Sequence, residues 1–102
     1  MDTWQPITVV ELEAVVAKQL AACSPEQRVA FAKYRVPFYS MPLSRLGGVE
    51  SALVVASLPG GLLYFEDVEE GFELGVPDAH GVLPNQGCNQ FDLTHVLYRA
   101  GL

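Results

Sequence analysis

The sequence predicts an α+β fold: a single domain over residues 1–102 with two N-terminal helices, a four-stranded antiparallel meander and one C-terminal helix. Three observations carry this reading. Apolar residues recur at helical spacing through the first third of the chain, turn into strand-like runs after Val36, and return to helical spacing near the C-terminus. Short turns rich in Gly, Pro and Asp join the strand-like runs, which suits hairpins and leaves no room for crossover helices. No repeat or long linker divides the 102 residues, and that length fits one domain.

Thr8-Val9-Val10-Glu11 has the spacing of a capping box, and Val9, Leu12, Val16, Leu20 and Cys23 then recur three and four apart. This predicts an amphipathic helix over about residues 8–22. Ser24-Pro25-Glu26-Gln27 starts a second one, with Ser as N-cap and Pro at the first helical position. It runs to about Arg35, because Pro37 disfavours helical backbone at Val36. Lys18, Arg28, Lys33 and Arg35 make the basic cluster of the protein on these two helices.

The segment VPFYSMPL carries two prolines that cannot donate to a ladder, so it predicts an edge strand. After Gly47-Gly48, SALVVASL is a continuous apolar run, typical of a central strand covered on both faces. Pro59-Gly60-Gly61 has the chemistry of a type II turn into LLYFE. A turn through Asp67–Gly71 leads to FELGV, which alternates Phe72, Leu74 and Val76 against Glu73. Residues 77–88 read as a loop, and a last helix is expected to open at Asn89 or Gln90, with Gly101 as its stop.

The charge is −6, and its distribution is uneven. Residues 1–45 hold four acids and five bases, whereas residues 46–98 hold eight acids and no Lys or Arg. Such a C-terminal half is poorly suited to a phosphate backbone, so nucleic acid is not the expected partner. With no long apolar run and no basic leader before Glu11 and Glu13, no membrane segment is expected, and the chain reads as cytoplasmic. Cys23 and Cys88 read as free thiols in that compartment.

The densest acidic stretch is LLYFEDVEEGFELG, where Glu66, Asp67, Glu69, Glu70 and Glu73 lie among Tyr64, Phe65, Phe72 and Leu74. At a hairpin tip such carboxylates resist edge pairing and stay solvated. They also suit a basic protein partner, with charge steering the encounter and Tyr64 as anchor. EDVEEG lacks the alternation of a calcium loop, so no metal is expected there.

The only stretch that collects nucleophile, base and orienting types is HGVLPNQGCNQFDLTH, with His80, Cys88, Asp92 and His95. A helix starting near Asn89 would place Cys88 at its N-terminus, where the dipole favours thiolate. Asp92 and His95, three apart, would share a helix surface. Yet Cys88 and His95 would be separated by about 10.5 Å of helical rise. The spacing is also wrong for zinc, and no phosphate-binding or dinucleotide signature occurs, so no cofactor is expected.

The leading expectation is a non-enzymatic binding module that meets a basic protein through the acidic hairpin. In size, acidity and helix–strand segregation the chain is similar to small bacterial immunity and antitoxin-type proteins, which occlude a partner. That likeness is compositional and rests on no motif. The alternatives are a thiol-dependent enzyme or redox sensor centred on Cys88, and a homo-oligomer in which the basic second helix meets the acidic hairpin of another copy.

Overall fold

The computed structural model describes residues 7–45, 48–66, 70–84 and 91–102. They form an α+β domain with the element order α1 (Val9–Leu20), α2 (Pro25–Tyr34), β1 (Arg35–Arg45), β2 (Gly48–Leu58), β3 (Gly61–Glu66), β4 (Gly71–Gly75) and α3 (Leu93–Arg99). The four strands lie in sequence order in one antiparallel sheet, β1-β2-β3-β4.

Both N-terminal helices begin as local sequence dictates. Thr8 accepts from the Glu11 N–H while Glu11 returns a carboxylate to the Thr8 N–H, at 3.1 and 2.9 Å. Ser24 and Gln27 repeat the exchange at 3.1 and 3.0 Å. Each box satisfies donors that a helix start otherwise leaves bare. Helix α2 passes straight into β1, with Arg35 already extended at φ −64°, ψ 149°. Pro37, two residues on, requires extended backbone before it.

The core has two layers. On one face of the sheet, Leu12 and Val16 of α1, Phe31 of α2 and Leu93, Val96 and Leu97 of α3 pack against Val55, Leu63, Phe65 and Phe72. On the other, Leu43, Ala52, Val54, Tyr64 and Leu83 form a second cluster. The central strand β2 therefore contributes to both, as its continuous apolar run predicts. An irregularity in register between Val54 and Ala56 inserts one extra residue, a bulge that lets Val55 and Ala56 both join the helix-side core.

A meander leaves two open edges, and the segment after β4 meets both. Leu83 pairs in parallel with Leu43 of β1, donating to the Pro42 carbonyl and accepting from the Ser44 N–H, each at 2.8 Å. Phe91 then pairs with Phe72 of β4, whose N–H reaches the Phe91 carbonyl at 2.8 Å. Leu83, within the stretch read as a loop, thus supplies a backbone partner to β1, and Phe91, read as part of the last helix, supplies one to β4.

Three local expectations are corrected. Helix α3 opens at Leu93 and not near Asn89, because Phe91 is held extended by its bridge and Asp92 takes the N-cap. Val76 lies past the end of β4 and is 65% exposed, so it is not part of the Phe72–Leu74 face. The Pro59-Gly60 turn is not type II, since positive φ falls on Gly61 and not on Gly60.

Gly61 has φ 154°, and a Cβ built on it would stand 2.9 Å from the Gly75 carbonyl oxygen of β4. Gly60 faces open space. Gly61→Ala is therefore expected to cost about 1–3 kcal/mol, through strain and the pushed-apart β3–β4 pair. Gly60→Ala is expected to fall within about 0.5 kcal/mol of wild type. Urea melts of the two variants check this, and equal midpoints would contradict it.

Candidate functional site

The acidic hairpin comes from the β3–β4 pair, whose ladder runs from Leu62↔Gly75 to Glu66↔Gly71. Alternation along β3 sends Phe65 to the helix side and Tyr64 to the other. Tyr64 is 1% exposed, packed among Leu43, Ala52, Val54 and Leu83. It is a core residue, and its expected role as an exposed anchor is corrected accordingly. Leu83, seated on β1, supplies the cover that a strand pattern alone does not reveal.

Glu66 and Glu73 are also buried, each 7% exposed. Glu73 stands opposite Tyr64 in the ladder, and Glu66 closes the ladder opposite Gly71. Neither carboxylate is displayed to solvent as the sequence reading supposed. Glu70 is exposed and adopts φ 56°, left-handed backbone that an L-residue other than Gly, Asn or Asp seldom takes. It lines a recess of ≈ 270 Å³ with Val15, Lys18, Gln19 and Phe65, so this end of the hairpin lies against the side of α1. Asp67 and Glu69 lie outside the described residues.

The C-terminal candidates are engaged elsewhere. The Asp92 carboxylate accepts from the His95 backbone N–H at 2.8 Å, as an N-cap, and not from its imidazole. The exposed His95 ring stacks on Phe91 with centroids 4.4 Å apart and planes 8° from parallel, while the Arg99 guanidinium sits 4.7 Å from the centroid of the Phe91 ring. His80 is exposed in a tight loop, where the Asp78 carboxylate accepts from the His80 and Val82 N–H groups at 2.8 and 3.0 Å. Gly81, at φ 76°, closes that loop. Cys88 lies outside the described residues, and the helix start expected beside it stands at Asp92–Leu93. Among the described residues no group of three or more His, Cys, Asp or Glu side chains is placed to hold a metal ion, and no helix is long and apolar enough to cross a membrane.

Sequence reasoning missed a polar clamp at the start of α3. Gln19 accepts from the Leu93 N–H at 2.6 Å, and Gln27 donates to the Thr94 carbonyl at 3.3 Å. The buried Cys23 thiol lies 3.4 Å from both the Gln19 carbonyl and the Thr94 hydroxyl. Gln27 was visible as a capping residue, but no local pattern announces a bond to a residue 67 positions away. Also missed was the outward face of α2, where Val29 is 71% exposed. Its signal was present: an apolar side chain two positions from the buried Gln27 and Phe31, and so on the opposite side of the helix.

Comparison with protein-family models, with curated proteins and with solved structures gives no match. The functional reading therefore rests on the residues themselves.

The two N–H donors hold the Asp78 carboxyl below its usual range, with Val82 the larger cause and His80 the next. A carboxyl lowered on folding adds stability above its unfolded value and loses it as pH falls through the folded one. Asp78→Asn keeps an acceptor oxygen but cannot titrate. Between pH 7 and about pH 3 it is expected to lose less stability than wild type. Paired urea melts at the two pH values test this, and identical losses would remove Asp78 from the acid response.

Proposed function

We propose that this chain is a non-enzymatic binding module whose acidic hairpin end meets a basic surface on a protein partner, occluding it in the manner of an immunity or antitoxin-type inhibitor. The observation that carries the reading is Glu70: a carboxylate held exposed in left-handed backbone where glycine fits better, beside a stretch of chain that is acidic and free of Lys and Arg from residue 46 to 98. Strain retained at an exposed charged residue points toward use. Charge of one sign steers association and sets its salt dependence.

The interface differs from the one read in the sequence. Tyr64, Glu66 and Glu73 shape the hairpin from within, which leaves Glu70 as the hairpin's exposed carboxylate among the described residues, with Asp67 and Glu69 its neighbours in sequence. Thiol chemistry at Cys88 receives less support, because Asp92 serves as a cap and His95 stacks on Phe91. A cytoplasmic setting belongs to the same proposal.

Two experiments test it. Affinity capture from the native host at low salt, with wild-type bait beside a Glu69→Lys, Glu70→Lys bait, is expected to retain a basic protein on the first and lose it from the second. Retention by both would take the hairpin out of the account. Separately, Glu70→Gly is expected to gain about 1 kcal/mol of stability by relieving the backbone, while binding weakens. A variant that is more stable and binds equally well would show the strain to be without function.

A further inference from the structure

The inward residues of α2 are Gln27 and Phe31, 6% and 0% exposed. Its outward face carries a different set. Pro25, Glu26, Val29, Ala30, Lys33 and Tyr34, with Leu102 alongside, line an open groove of ≈ 550 Å³. Val29 stands in it 71% exposed. Among the described residues Glu26 and Lys33 have no ion-pair partner, and the Lys33 ammonium rests only over the neighbouring Tyr34 ring at 5.3 Å.

The order of these residues constrains what can cover them. The stripe is symmetric about the midpoint between Val29 and Ala30: Glu26 and Lys33 are equidistant from it, and so are Pro25 and Tyr34. Glu26 and Lys33 are separated by about 10.5 Å along the axis. A partner of uniform charge would match one end of the stripe and be opposed at the other. A second α2 laid parallel would set Glu26 on Glu26 and Lys33 on Lys33. Laid antiparallel about a two-fold axis, it sets Glu26 against Lys33 of the second copy twice over. Val29 then meets Ala30, whose small side chain admits close approach of the helices.

We propose that the outward face of α2 is a self-association surface, covered by α2 of a second copy of this chain in an antiparallel, two-fold arrangement. A single helix pair buries less than a standard interface, so the dimer is weak and concentration-dependent. This contact is separate from the acidic hairpin and does not rest on the function proposed above. It also differs from a pairing of basic helix with acidic hairpin, because it uses both charges of α2.

Sedimentation of the full chain from about 10 µM to about 1 mM at low salt tests the proposal, since weak interfaces dissociate within that range. Wild type is expected to dimerise reversibly. Glu26→Lys and Lys33→Glu are each expected to weaken the dimer by at least about ten-fold, by turning attraction into repulsion. An equimolar mixture of the two single variants is expected to associate again, because each cross-pair then joins opposite charges. Misfolded variants would not be rescued by mixing, so recovery separates loss of contact from loss of fold. Val29→Asp is expected to abolish association with the terminal charges left in place. Several results would overturn the proposal: a monomer throughout, a dimer indifferent to these variants, or Glu26→Lys strengthening association while Lys33→Glu weakens it. The last pattern belongs to a helix that meets an acidic surface.

Discussion

A meander of four strands in sequence order has two unpaired edges, and closing them is the constraint on which the rest of this structure depends. The chain between β4 and α3 must reach both sides of the sheet. It pairs Leu83 with β1 and Phe91 with β4. In seating Leu83 it completes the second core layer over Tyr64, Val54 and Ala52. In seating Phe91 it fixes where α3 begins. One connection thus governs edge protection, burial of the far face and the position of the last helix.

The helix side is ordered from the same point. Helix α3 spans only Leu93–Arg99, too short to hold together by its own hydrogen bonds. Its first turn is completed from three directions: Asp92 from the residue just before it, Gln19 from α1 and Gln27 from α2. Gln27 serves two elements at once, closing the capping box of α2 while holding the Thr94 carbonyl. Each buried polar group here has a partner, which is how such groups persist in a core. The Arg35–Glu13 ion pair joins β1 to α1 at 2.9 Å, but with both side chains about half exposed its contribution is at most about 1 kcal/mol.

What the sequence showed of this fold was what lies within a few residues. Thr8 with Glu11 and Ser24 with Gln27 are three apart, so both helix starts could be read directly. Pro37 and Pro42 lack a donor wherever they sit, and their strand proved to be an edge. The continuous run of β2 spoke for two covered faces, and two faces are covered. The misreadings of Tyr64 and of the last helix are distant effects. Tyr64 was assigned to the surface because its cover, Leu83, is joined to it only through the crossing segment. Asn89 and Asp92 are both good capping residues, and the choice between them is decided by Gln19 and Phe72, far off in sequence. The candidate site suffered in the same way. Two of its five carboxylates, Glu66 and Glu73, fall inside the fold, and nothing local distinguishes them from the exposed Glu70.

The bridge between Phe91 and Phe72 ties two events together. When a helix of seven residues frays from the sheet, its extended leader goes with it, and β4 is left with a bare backbone edge beside the apolar side chains of Phe72 and Leu74. Hydrogen-bonding groups and hydrophobic surface are then uncovered on the same strand, the combination that templates intermolecular strand addition. Slow oligomerisation of this protein would thus begin at its C-terminal end, at a rate set by the opening of α3 and not by global unfolding.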